Sequence, residues 1–312
     1  NKPYLEPMRH LEELVKTTEM HLDLNLKVDK VLSGKDRLGK ARLQLHLRDY
    51  SLNIQNLVIE IPGGSISSSL SLKIVDDEST GHLRLDIDKL DYGISTRLFQ
   101  PDSQVDGTIS TRIDLQLGGS DFNHLLQHAT GKLDIAVYPK NTRPAKALNL
   151  WTTNLYLILL PELKKKESLV NCMVGLLNFE DGTMREELLA LDTTKLWIYG
   201  NINADFRQEH VKLSLFPQSK TARLFSFQSP IRVEGNFSDI GMAINPVDLT
   251  GSYISFITSP LHVPARWLFG DKVPENGSAI CEQLFDRDFV EKLNAKIRMK
   301  ESKEVEEMLE SD

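Results

Sequence analysis

His21–Val28 reads HLDLNLKV. Leu22, Leu24, Leu26 and Val28 share one parity, and His21, Asp23, Asn25 and Lys27 the other. A period of two belongs to a pleated strand with one dry and one wet face. The same signature recurs outward along the chain. ARLQLHL carries Leu43, Leu45 and Leu47; LRLDID carries Leu83, Leu85 and Ile87. ISTRIDLQL adds Ile109, Ile113, Leu115 and Leu117, and VKLSL adds Val211, Leu213 and Leu215. Turn signals separate these runs: Ser33-Gly34, Pro62-Gly63-Gly64, Asp106-Gly107, Gly118-Gly119 and Asp181-Gly182. One-sided strands joined by short turns predict a mainly β fold with an antiparallel sheet.

Helical signals are sparse. Glu6 to Lys16 is one candidate, and Asp121 to Ala129, after a Ser120 N-cap, is another. Pro144 to Leu160, Pro264 to Phe269 and Asp286 to Glu310 complete the set, the last with a thin stripe of Phe289, Leu293 and Ile297. The chain therefore divides into a helical or linker segment (1–20), a repeating-β body (21–250), a Pro- and Gly-rich loop with a short helix (251–285) and a charged helical tail (286–312). Alternation alone leaves open whether the apolar faces close on each other in a sandwich or barrel, or line an open groove.

Composition narrows the function. Of 312 residues, 40% are hydrophobic and 26% charged, and the net charge is −7. Nucleic-acid binders carry a basic face, and here the longest basic run is Lys164-Lys165-Lys166. No nucleic-acid partner is expected. Ala147–Leu160 (ALNLWTTNLYLILL) is uncharged and apolar, but its 14 residues fall short of the roughly 20 needed to span a bilayer. A buried or interfacial helix is the expectation there. The first residue is Asn1, and the chain reads as a piece of a longer protein.

Chemistry-bearing motifs are missing from the sequence. It has no G-x-S-x-G, G-x-x-x-x-G-K-[ST], H-E-x-x-H or C-x-x-C. His124 and His128 stand at i, i+4 with Asp121 one turn before, a spacing that suits a metal, yet no further ligand lies near in sequence. Asp76-Asp77-Glu78 reads as a solvated acidic turn. No enzyme, metal or cofactor is expected. Cys172 and Cys281 are the two cysteines. No His or Lys flanks Cys172 to make it a nucleophile, which leaves two readings: lone buried thiols or a bridge.

From Asn171 onward the order of motifs resembles the C-terminal region of the AsmA family of bacterial envelope proteins. The resemblance rests on Asn171-Cys172, Phe179, Asp181-Gly182, Leu191-Asp192-Thr193, Gly200-Asn201-Ile202, Ser229-Pro230-Ile231 and Gly235-Asn236-Phe237. Upstream, DYSLNIQNLVIEIPGGSISSSLSL is similar to the family's strand–Gly-Gly–strand unit. GTISTRIDLQLGGSDFNHLLQHATGKLDI is similar to its strand–helix–Gly–strand unit. The acidic tail after Asp286 has no counterpart. The resemblance implies an elongated, twisted, open (taco-like) sheet with an apolar concave groove, and a periplasmic body anchored in the inner membrane by a segment before Asn1. It also implies a part in phospholipid transport or outer-membrane biogenesis.

Such a groove needs no catalytic residue. Each CH₂ exposed to water costs about 0.8 kcal/mol, so a two-chain lipid loses on the order of 20 kcal/mol on entering water. The expected lipid-binding residues are Leu24, Leu26, Leu43, Leu45, Leu85, Ile87, Ile113, Leu115, Leu213 and Leu215, with a phospholipid or other acyl-chain lipid as partner. The alternative is an interaction module that docks an envelope protein, through a strand edge for example. A periplasmic setting favours disulfides. The Cys172–Cys281 bridge is then expected to tether the Pro- and Gly-rich segment to the sheet.

Overall fold

The computed structural model describes residues 6–17, 21–33, 36–61, 63–76, 78–99, 102, 105–140, 169–194, 196–220, 231–237, 239–243 and 276–296. One antiparallel sheet holds all thirteen strands in sequence order. They are β1 Leu22–Ser33, β2 Asp36–Arg48, β3 Ser51–Ile61, β4 Gly64–Val75, β5 Glu78–Asp91, β6 Gly107–Gly119 and β7 Thr130–Pro139. After them come β8 Val170–Glu180, β9 Thr183–Thr193, β10 Leu196–Asp205, β11 His210–Ser219, β12 Ile231–Asn236 and β13 Asp239–Ala243. The helices are α1 Glu6–Thr17, α2 Tyr92–Phe99, α3 Ser278–Leu284 and α4 (287–296).

The sheet is open. β1 and β13 are its two edges, and among the described residues no second sheet faces it. A strictly sequential order is what hairpin turns produce. Between β2 and β3 the two-residue turn Asp49-Tyr50 has φ of 48° and 58°. This doubly left-handed geometry matches the twist of the flanking strands. Asp181-Gly182 turns β8 into β9 in the same way, with φ of 43° and 77°. At Gly182 an added Cβ would lie 1.9 Å from the Gln127 carbonyl oxygen, so only glycine fits.

Two helical expectations change. Asp121 to Ala129 is not an α-helix: Phe122–His124 forms a single 3₁₀ turn capped by Asp121, whose carboxylate accepts from Asn123 N. The segment is pinned into the sheet margin instead. Gly118 N donates to Leu125 O, His128 N to Gly118 O and Gly182 N to Ala129 O. Conversely, α2 was not anticipated; it follows Asp91, whose side chain accepts from Ile94 N. The expected helices 144–160 and 264–269, and the tail beyond residue 296, lie outside the described residues. No described helix is long and apolar enough to cross a membrane.

Candidate functional site

Register converts the alternation into geometry. Leu24 pairs with Leu45, and the row continues through Ile54, Leu70, Leu83, Leu115, Gly131, Phe179, Met184, Ala204 and Val211. The next row begins at Leu26 and Leu43 and runs through Leu57, Ser68, Leu85, Ile113, Leu133 and Leu177 to Glu186 on β9. Ile202, Leu213 and Val233 carry it onward. A third row holds Val28, Ala41, Ile59, Ile66, Ile87, Thr111, Ile135, Gly175, Leu189 and, on β11, Leu215. At about 4.8 Å per strand, the eleven spacings from β1 to β12 give a floor roughly 53 Å long.

All ten residues expected to contact lipid fall on this one face, distributed over the three rows. Their environments differ. Leu24 and Leu26, at the β1 edge, are 40% and 45% exposed. Leu43, Leu45, Leu85, Ile87, Ile113, Leu213 and Leu215 are half-buried. Leu115 is buried at 3%, among Ala129, Phe179 and Leu126. It is a wall residue rather than an open floor position.

One long margin of the floor is walled. α1 lays Val15 and Leu11 on Leu47, Leu52 and Leu72, together with Phe122 and Leu125 of the 3₁₀ turn. The Glu12 carboxylate fixes that contact by accepting from Phe122 N at 3.0 Å. Further along, Phe206 stacks on Phe179 at 5.7 Å and meets Phe237 edge-on at 5.2 Å. α2 lies at the opposite ends of the strands, with Ile94 against Gly63.

The reverse face changes character along the sheet. Over β1–β6 it is wet. Asp23 binds His46 at 2.5 Å and also Arg48, while Asp114 binds His82 at 2.6 Å and Arg84 at 3.3 Å. These partners, the histidine bond first, hold both carboxyls below the ordinary carboxylate range. Over β8–β11 the reverse face is apolar and covered. Val174, Leu176, Leu188, Ala190, Trp197 and Tyr199 pack under Cys281, Leu284 and Val290 of α3 and α4, with Phe289 and Leu293 alongside.

Two devices fasten those helices. Cys172 and Cys281 form a disulfide, Cα–Cα 6.4 Å, across 109 residues. Arg287 donates to Asp134 at 2.8 Å, to Asn178 Oδ1 at 2.8 Å and to the Leu177 carbonyl at 3.0 Å, and it also pairs with Glu187. Nearby, buried Asp192 accepts from Gly277 N at 2.7 Å and from Asn171 Nδ2 at 2.7 Å, and the Lys220 ammonium stands 2.5 Å from it. Sequence reading missed the Arg287 and Asp192 clusters because their partners lie as far as 153 residues away.

His124 and His128 do not converge on a shared site. His124 Nδ1 is 2.8 Å from Asp121, and His128 Nδ1 is 2.7 Å from Asp181. Among the described residues no group of three or more His, Cys, Asp or Glu is placed to hold a metal.

Comparison with known proteins finds a distant relative. The chain is 25% identical to the AsmA family protein YhjG of Escherichia coli (strain K12), over a 272-residue alignment that takes in 83% of this chain. That likeness supports an AsmA-like family for the chain. The chain spans 38% of the length of that relative. No protein-family model matches it, and no solved structure does. At this distance the relationship points to a bacterial envelope protein.

Proposed function

We propose that the apolar sheet face binds lipid acyl chains and that the protein supports phospholipid movement toward, or biogenesis of, the outer membrane. The observation that carries this reading is the floor itself: three apolar rows cross an open sheet and reach its β1 edge, where Leu24 and Leu26 stand 40% and 45% exposed. Contiguous exposed apolar surface of this extent marks an interaction site in proteins generally. A rowed floor offsets the cost of wetting methylenes at each step along its length, and catalysis plays no part in it. We place the body in the periplasm, on the support of the AsmA-like relationship and of a disulfide, which persists in oxidising compartments.

The test is a photo-crosslinking amino acid at Leu43 on the floor and at Gln44 on the reverse face, with the protein incubated with phospholipid vesicles. Lipid adducts are expected at Leu43 and absent at Gln44. Equal labelling at both, or none at Leu43, would overturn the reading. A second reading has its own observation: β1 is a sheet edge of 12 residues, open to strand addition by an envelope protein. Peptide rather than lipid adducts at Leu26 would favour it.

A further inference from the structure

Among the paired positions of the three floor rows, Glu186 is the one ionisable side chain. It stands in the middle row, opposite Leu177 on β8. A bulge puts it there. The β8–β9 register slips between Leu176 and Leu177, and the β9–β10 ladder is interrupted between Tyr199 and Asn203. In that gap Glu186 Oε2 accepts from Ile202 N at 2.6 Å, doing what a strand carbonyl does elsewhere. Its other partner is its own backbone N–H.

No cation among the described residues pairs with this charge directly, and only the field of the neighbouring Arg185 offsets it from a distance. Among the described residues Glu186 has no ion-pair partner, and the adjacent Arg185 is exposed on the reverse face, in register with Asn178 and Asn203. A half-buried carboxylate on an apolar surface, bonded only to backbone amides, is costly unless paired. Burial accordingly pushes its pKa up. Mending the ladder needs only an acceptor, which glutamine supplies as well as glutamate does. The negative charge is what remains to be explained.

We propose that Glu186 reads the lipid headgroup: its carboxylate takes the ammonium of an amine-bearing zwitterionic phospholipid, so the floor prefers such lipids over purely anionic ones. This rests on the acyl-chain reading above. The ligand's ammonium supplies the missing cation, and a headgroup that carries only phosphate charge is repelled. The placement suits the rest of such a lipid. From β1 to β9 the middle row offers eight strand spacings, roughly 38 Å, free of any other charge.

The experiment loads the purified protein from vesicles of equal phosphatidylethanolamine and phosphatidylglycerol and quantifies bound lipid by mass spectrometry. The wild type is expected to enrich the ethanolamine lipid about tenfold, the factor that one charge-assisted hydrogen bond supports. Glu186→Gln keeps the acceptor for Ile202 N and should bring the ratio to parity with total lipid unchanged. Glu234→Gln, an exposed position on β12, should leave the wild-type preference intact. Leu177→Lys sets an internal ammonium opposite Glu186 in the register and should likewise bring the ratio to parity, a readout independent of whether Glu186→Gln folds well. A wild type without preference, or a Glu186→Gln protein that retains it, overturns the proposal. A purely structural role would lower the thermal midpoint of Glu186→Gln without moving the ratio. If neither protein binds any lipid, the acyl-chain reading falls together with this one.

Discussion

The sheet has two halves that share one ladder and differ in what lies behind them. Over β1–β6 the reverse face is a solvated array of ion pairs such as Asp23–His46 and Asp114–His82. Over β8–β11 it is a dry core under α3 and α4, closed by a disulfide and by Arg287. The front floor runs unbroken across both. The back half is thus a packed framework, and the front half is a single layer whose apolar side rests on α1 and the 3₁₀ turn along one margin. Stability is concentrated where the helices sit, while the floor residues nearest β1 are left half in water.

The sharpest way to break this contrast is to release the helices. In the chain-entropy view, closing a loop of about a hundred residues stabilises by about 4–5 kcal/mol. Replacing both Cys172 and Cys281 with serine should therefore lower the urea-unfolding free energy by about that much. A loss under about 1 kcal/mol would mean that α3 and α4 hold without the bridge. Next comes the core they cover. Trp197→Ala empties a position that is 1% exposed and should cost about 3–5 kcal/mol. Arg287→Met leaves Glu187 without its cation and leaves Asp134 with only Arg112, at 3.7 Å, and breaking a buried ionic cluster from one side costs up to about 3–5 kcal/mol. The double change Arg287→Met with Asp134→Asn should recover part of that loss. If it recovers nothing, the cost of Arg287→Met is lost packing rather than uncompensated charge. In the front half, Leu26→Ser should cost about 1 kcal/mol or less, because the side chain is already 45% exposed. The same variant should nonetheless weaken lipid crosslinking at Leu43.

The two halves also differ in how far they could be read from sequence. HLDLNLKV and ARLQLHL alternate because only one of their faces is dry, and the pairing of Leu24 with Leu45 and Leu26 with Leu43 follows directly. VNCMVGLLNF loses its alternation because both faces of β8 are apolar: Met173, Gly175 and Leu177 on the floor in front, Cys172, Val174 and Leu176 in the covered core behind. Bulges hide from parity as well. In TMREELLALDT a strict period of two puts Glu186 and Leu188 on one face, whereas the extra residue sends Leu188 to the back and leaves Glu186 in front. Asp121 to Ala129 reads as a helix until its backbone groups find partners at Gly118 and Gly182, which local pattern does not contain. The acyl-contact residues were legible as a parity. Which of them form open floor and which form wall, as Leu115 does, depends on packing 14 or more residues away, against Ala129 and Phe179.

The smallest expected effects set the two faces of the sheet against each other through two carboxylates. Asp114, on the wet face, is held below its ordinary pKa of 3.8 by the His82 bond and then by Arg84. A carboxyl that binds protons less tightly when folded contributes stability above its unfolded pKa and loses it as pH falls through the folded value. Its side chain is 60% exposed, so solvent screening keeps the contribution small. The thermal midpoint of Asp114→Asn should lie below that of the wild type near neutral pH, with the gap closing below about pH 4. Glu186, on the dry face, has the opposite sign. Burial raises its pKa above the ordinary 4.5, so the folded state binds more protons than the unfolded chain and ionisation opposes folding. The midpoint of Glu186→Gln relative to the wild type should rise as pH climbs through the unfolded value, then level off once the folded carboxyl has ionised. If that difference is flat with pH, a cation already neutralises Glu186 in the free protein, and the floor does not hold the unpaired charge on which headgroup recognition depends.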